Sequence, residues 1–313
     1  MKPKYELFIT VNKYSFISTV LLNYSVKKLW KNKNYVIKNI IETSNQKDVK
    51  KRAKISYKIR LLFMRLFSFN FKNFENELHT LKLSNIERIS KKYSIKYLLF
   101  EEYKDIKSEK KKILINLGGS KIFKKKFISK FFLSINYHNS ELPNFRGTHS
   151  NGYSLFYNKI YTYYSFHFLN SLIDKGFIFY EEKVKINTKN LFNLNYDILK
   201  AKKAGNNIVN ILKKGIQNKN KKKYISVGGN YYNLNYFRNI FIKIESFRYD
   251  EIKKFIKIFD GFYYKNKFIT DIKKNINGIK IKNSKIKFTR VNYLPTNIYK
   301  IVFFLKKYLF WYL

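Results

Sequence analysis

Lysine cuts short the apolar runs of this 313-residue chain. The longest uncharged stretches are Tyr14–Val26, Ile160–Ile173 and Tyr224–Phe237, and Gly228, Gly229 and several asparagines break the last of these. A membrane-spanning helix needs roughly 20 mostly apolar residues. The pattern therefore predicts no membrane span.

The charge balance sharpens this reading. Sixty-five Lys+Arg against 20 Asp+Glu leave a net charge of +45. Some of the lysine excess reflects A/T-rich codon usage, which also favours Asn, Ile, Tyr and Phe. The acidic codons tolerate A/T as well and are still outnumbered. Self-repulsion on this scale points to a polyanionic partner, with nucleic acid the best fit. The chain is nevertheless 45% hydrophobic and 19% aromatic, too apolar for a disordered basic tail. Zero cysteines exclude disulfide scaffolds, thiolate metal sites and a cysteine nucleophile. The four histidines, His79, His138, His149 and His167, form no i,i+4 pair, so neither a metal site nor a cofactor is expected. No serine-hydrolase elbow, kinase set or dinucleotide fingerprint is present, which argues against a metabolic enzyme.

Along the chain, residues 1–12 alternate like a short strand, and the segment from Phe16 to about Ile41 reads as helix. Asp48–Phe69 carries Ile55, Ile59, Leu62, Phe63 and Leu66 at helical spacing, with basic residues between them. Leu117-Gly118-Gly119-Ser120-Lys121 reads as a turn. Lys200–Lys223 is Lys/Asn-rich and reads as a loop or insertion, Glu251–Phe259 as helix, and Ile298–Leu313 as an apolar tail packed on the core or on a neighbour. These readings divide the chain at 1–137, 138–200, 201–285 and 286–313.

Residues 142–199 stand apart. They run Leu-Pro-Asn-Phe-Arg-Gly-Thr-His-Ser, then Ser165-Phe-His-Phe-Leu-Asn-Ser-Leu-Ile-Asp-Lys-Gly176, then Phe177-Ile-Phe-Tyr-Glu-Glu-Lys-Val-Lys-Ile. Ser165 suits a helix N-cap and Gly176 a C′ position. Strands are expected at Ile178–Tyr180 and Val184–Ile186, with Glu181-Glu182-Lys183 as the turn, and a third near Asp197–Leu199. With Ser165, Leu172, Ile173, Gly176, Ile178, Lys183, Val184, Asp197 and Ile198 at matching positions, this pattern resembles the RNA-binding domain of the small-subunit ribosomal protein S-four family, in an organelle-encoded form.

The resemblance implies an α+β fold: a largely helical N-terminal part, a small helix plus β-hairpin RNA-binding module, and a basic C-terminal extension. It implies RNA contacts from Arg146, His149, Asn170, Lys175, Lys183, Lys185 and Lys189. It also implies a structural protein of the mitochondrial small ribosomal subunit, with a plastid-type organelle as second choice. The partners would be small-subunit rRNA and neighbouring ribosomal proteins, with no small-molecule substrate and no catalysis. Two alternatives use the same sequence. Leu169–Gly176 resembles the LAGLIDADG helix of homing endonucleases and maturases, and another organellar ribosomal protein, such as the S-three protein, fits the composition.

Overall fold

In the computed structural model the described residues are 3–13, 15–44, 86–105, 108–119, 121–147, 150–188, 191, 193–232 and 248–259, with Ile272 and short paired strands between 262 and 288. A seven-stranded sheet organises them. Its strands are β1 (Tyr5–Val11), β2 (Tyr35–Glu42), β3 (Lys96–Leu99), β4 (Lys111–Asn116), β5 (Leu133–His138), β7 (Tyr161–Phe168) and β8 (Ile178–Lys185); β6 (Phe145–Arg146) pairs separately with β9 (Asn230–Tyr231). The spatial order is β3-β2-β1-β4-β5-β7-β8. The first five strands run parallel, and β7 and β8 extend the sheet antiparallel.

Helices cover the larger apolar face: α1 (Phe16–Trp30), α2 (Ile86–Lys92), α4 (Ser150–Tyr157), α5 (Asn193–Asn206), α6 (Ile208–Gln217) and α7 (Tyr249–Phe259). Ser15 caps α1 by accepting from the Ser18 amide, and Lys27 and Lys28 lie at its C-terminal end, where the helix dipole favours cations. Leu21, Leu22, Val26 and Leu29 of α1 share one core with Ala201, Ala204, Ile208, Ile211 and Leu212 and with the inward residues of the sheet. On the opposite face Phe8, Ile41, Leu98, Leu114 and Phe131 form a second cluster, covered by Phe100, Tyr103 and Phe127; Phe127 belongs to the short helix α3 (Lys125–Ile128).

The mostly parallel α/β sheet overturns the expected α+β arrangement. The N-terminal part is no helical region, for β1 to β4 alternate with α1 and α2. A parallel strand buried on both faces reads as a near-continuous apolar run, which periodicity cannot separate from a buried helix. That is why 35–42, expected as helix, is β2, and why the alternation in β1 is weak: Glu6 through Val11 are all buried.

The small helix–hairpin module is also corrected. Ser165 caps no helix; it is fully buried within strand β7. Leu169–Gly176 is a loop, and 178–185 is one strand without a turn at Glu181–Lys183. Asp197 lies on helix α5. Lys200–Lys223 is α5, α6 and a 3-10 turn rather than a loop: Ile208, Ile211, Leu212 and Gly215 make the buried stripe of α6, and the lysines occupy its outer side. Asp48–Phe69 and Ile298–Leu313 lie outside the described residues. No helix among the described residues is long and apolar enough to cross a membrane.

Candidate active site

Strand order reverses between β1 and β4, since β2 and β3 continue to one side and β5 to the other. In open α/β sheets the crevice outside the carboxyl ends of such strands is where ligands bind. Gly118, with φ of 77°, turns the chain away just after β4. The end of β5 supplies Asn136 and His138, two residues apart and so on the same face of the strand.

Register then sets the partners. β5 pairs antiparallel with β7 so that Asn136 opposes His167 and His138 opposes Ser165. A chain of hydrogen bonds crosses the sheet ends. The Thr10 hydroxyl donates to Asn116 Oδ1 at 2.7 Å, Asn116 Nδ2 donates to Asn136 Oδ1 at 2.7 Å, and Asn136 Nδ2 meets His167 Nε2 at 2.9 Å. His167 Nδ1 lies 2.9 Å from the Phe168 carbonyl. A carbonyl only accepts, so Nδ1 carries the proton and Nε2 accepts from Asn136. This polarity fixes which end of the Asn136 amide is the donor. It also uses only one of the two Nδ2 hydrogens.

His138 is fixed in the same way. Its Nε2 lies 2.6 Å from the Phe145 carbonyl and 2.9 Å from the Ser140 hydroxyl, which itself donates to that carbonyl at 2.7 Å. Nε2 is therefore the protonated nitrogen and Nδ1 carries the lone pair. Asp174 Oδ2 stands 3.6 Å from that Nδ1, and Asp174 Oδ1 stands 3.7 Å from His167 Nε2.

Asp174 comes from the β7–β8 loop, where its φ of 52° is left-handed. For a non-glycine residue this conformation costs roughly 1–2 kcal/mol and is held by its surroundings. The Gly147 amide donates to Asp174 Oδ2 at 2.9 Å. A Cβ on Gly147, whose φ is 97°, would sit 2.3 Å from the Tyr232 carbonyl oxygen, and one on Gly176 would sit 1.6 Å from that of Phe168. Glycine is required at both positions for the loop to close on the strand.

The electrostatics separate the two central groups. Burial pushes the His138 imidazole below its ordinary value of 6.5, outweighing the Asp174 charge and the Phe145 carbonyl that favour protonation. Burial acts on Asp174 in the opposite sense, but His138, His167 and the Gly147 amide outweigh it and hold the carboxyl below the usual carboxylate range. At neutral pH the site thus presents a neutral imidazole with a bare Nδ1, an ionised carboxylate beside it and an amide N–H donor. A proton acceptor, an anion to offset the resulting cation, and a donor for a developing oxyanion are the parts needed for acyl transfer. No cluster of three or more metal-ligating side chains occurs among the described residues.

The residues expected to touch RNA are not gathered at this site. Arg146 lies on β6, its guanidinium donating to the Gly229 carbonyl at 2.6 Å. The Asn170 side chain accepts from the Leu172 amide, and the Lys175 carbonyl accepts from Ser226. Lys183 lies over the Tyr161 ring and, like Lys185, is exposed on β8. His149 and Lys189 lie outside the described residues. The four side chains that do converge, Asn136, His138, His167 and Asp174, were not selected from sequence. The available signal was the Asn-x-His pair at the end of an apolar strand, followed by Ser140-Glu-Leu-Pro.

A family model described as Formyl transferase matches residues 93–209, the segment containing all four side chains. Among solved structures, a 4-N formyltransferase from Francisella tularensis superposes with a TM-score of 0.53 at 15% identity, covering 93% of this chain and 98% of that one. An N-formyltransferase from Helicobacter canadensis, in complex with folinic acid and dTDP-3-aminofucose, gives a TM-score of 0.52 at 18% identity, covering 88% and 90%. These likenesses show the fold. No curated protein matches the sequence.

These findings overturn the ribosomal reading and the resemblance behind it. The family model that matches describes an enzyme family, not an rRNA-binding domain. The expectation of rRNA and ribosomal neighbours as partners with no small-molecule substrate rests on that resemblance and falls with it. The expectation of a non-enzyme falls with it, as do the alternatives. The segment compared with a LAGLIDADG helix is the loop that carries Asp174, and a ribosomal protein of another kind is equally contradicted by the family match.

Proposed function

We propose that this protein transfers a formyl group from a formyltetrahydrofolate to the amine of a nucleotide-linked amino sugar. The observation that carries the reading is the convergence of Asn136, His138 and Asp174 at the carboxyl end of β5, inside the segment matched by the formyl transferase model. The folinic acid and dTDP-3-aminofucose bound to the Helicobacter canadensis enzyme support the choice of donor and acceptor. The crevice at the β1/β4 switch, with the N-terminus of the 15-residue helix α1 at its edge, suits the phosphates of a nucleotide. Leu172 and Ile173, both exposed on the loop that carries Asp174, suit a flat heteroaromatic donor.

The residues divide the reaction between them. Asn136 offers its second Nδ2–H to the formyl oxygen, which gains charge as the acceptor amine bonds to the formyl carbon. His138 Nδ1 takes the proton that the amine loses. Asp174 stabilises the imidazolium so formed. As the carbonyl re-forms, the bond between the formyl carbon and the donor nitrogen breaks, and His138 returns the proton to that nitrogen. The product is a formamide together with tetrahydrofolate, and His138 ends neutral.

The test is to incubate the purified protein with formyltetrahydrofolate and a panel of nucleotide-linked amino sugars, following tetrahydrofolate release and the mass of the acceptor. Gain of one formyl group by an amino sugar is the expected result. Tetrahydrofolate release with no formylated acceptor, or no release with any sugar of the panel, would reject the assignment.

A further inference from the structure

We infer that Asp197 and Lys200 of α5 are a positioning pair that fixes the direction of the His138 ring. The inference rests on the proposed role of His138 as proton acceptor. The two residues are three positions apart, hence on one helix face, and both are buried, Lys200 completely. Lys200 Nζ donates to the Asn139 carbonyl at 2.9 Å and to Asn151 Oδ1. Asp197 Oδ1 accepts from Asn139 Nδ2 at 2.5 Å and from Asn151 Nδ2, and Asp197 Oδ2 accepts from Asn193 Nδ2 at 3.3 Å. The Tyr137 hydroxyl donates to Asn139 Oδ1 at 2.8 Å. The carbonyl and both ends of the side-chain amide of Asn139 are thereby held.

Asn139 directly follows His138 and precedes Ser140, whose hydroxyl sits on His138 Nε2. Fixing the Asn139 peptide fixes the turn from which the imidazole projects, and with it the 3.6 Å approach of Nδ1 to Asp174. Burial pushes the Asp197 carboxyl up and the Lys200 ammonium down, while each stabilises the other's charge. Replacing a buried ion pair by well-packed apolar side chains of similar volume is often neutral or stabilising. The pair's presence beside the site is accounted for by orientation rather than by stability. The charged or titratable groups facing His138 are Asp174 from the β7–β8 loop, His167 from β7 and Lys200 from α5.

The test uses Lys200→Met, Asp197→Asn and the double variant Asp197→Leu/Lys200→Met in the full chain. Imidazole signals are followed by nitrogen-15 NMR through a pH titration, with His138 assigned by the signal lost in His138→Gln; melting temperature, kcat and KM are measured alongside. Removing one partner of a buried pair strands the other charge, so Lys200→Met is expected to melt lower. The double variant removes both charges and is expected to melt close to the parent. In it the His138 midpoint should rise towards 6.5 and the Nε2–H tautomer should lose its dominance. Its kcat should fall about tenfold or more, with KM changed less than about twofold. Asp197→Asn, which keeps an acceptor for Asn139, should lose less kcat than Lys200→Met. A double variant with the parental His138 titration and tautomer overturns the inference, as does a kcat loss that only tracks the folded fraction. If the parent itself transfers no formyl group, the functional assignment fails separately, and the NMR arm still decides whether the pair positions His138.

Discussion

Asn136 on β5 stands directly across from His167 on β7, and their side chains bond at 2.9 Å. The pairing is a matter of register. A slip of one residue between these strands would turn Asn136 to the other face of the sheet and leave both the Asn116 amide and His167 without it. The polarity imposed by the Phe168 carbonyl on His167 runs through Asn136 to Asn116 and Thr10. The donor needed at the reaction centre is oriented from outside that centre.

Replacing Asn136 by Ala should therefore lower kcat by roughly 10²–10³, the range seen when one oxyanion donor is removed. Asn136→Asp should be at least as inactive, because it places a charge where the oxyanion develops. Steady-state kinetics on an identified acceptor would check both. An Asn136→Ala enzyme within a few-fold of the parent would remove the residue from the mechanism.

The pH dependence follows from His138 and Asp174. The proposed mechanism requires the free base at His138, and burial holds its value below 6.5, so kcat/KM should fall on acidification with a midpoint below 6.5. Stability has the same sign. A buried imidazole with a lowered value binds fewer protons folded than unfolded, so its contribution is complete above 6.5 and declines as pH drops below it. Asp174, also lowered, loses its contribution at still lower pH. Denaturant unfolding between pH 7 and pH 5 should show the loss, and His138→Gln should flatten its upper part.

Gly147→Ala should cost more than an ordinary surface change. The φ of 97° strains any other residue, and the new Cβ meets the Tyr232 carbonyl. A loss of about 2 kcal/mol or more is expected, equivalent to a melting shift of several degrees. Activity should fall further than stability, because the Gly147 amide holds Asp174. Calorimetry and kinetics on the same preparation would separate the two effects.

Asp174→Asn should keep the fold while reducing kcat by about 10² or more, since the imidazolium then forms without its anion. Its His138 midpoint should fall further below 6.5, because the Asp174 charge is the main influence favouring protonation. A midpoint that rises in this variant would contradict the arrangement.

Parts of this arrangement could be read from residue order. The strand at 5–11 shows in Tyr5, Leu7 and Ile9, and the helix at 249–259 in its apolar spacing. Asn136, His138 and Asp174 were all visible as residue types, yet nothing local ties Asp174 to His138, 36 positions earlier. Ser165 and Gly176 match a capped helix in spacing, but Ser165 is buried opposite His138 and Glu181 in the sheet, where inter-strand pairing overrides local propensity. The lysines misled for a related reason. Apart from the buried Lys200, they mark the outer sides of α5 and α6, while a few buried side chains such as Ile208, Ile211 and Leu212 decide that α6 is a helix.

What the sequence by itself determined is the supply of chemistry: no thiol, few histidines, an abundance of cations, and apolar segments long enough for a core but too short to cross a membrane as helices. What only the tertiary structure decided is which of those groups act together. The parallel order of β1, β4 and β5 brings Thr10, Asn116 and Asn136 into one line, and the antiparallel return of β7 and its loop carries His167 and Asp174 to them. Such contacts arise from strand pairing across long separations, where each partner's environment is set by the others and by the exclusion of water, and no local spacing encodes that.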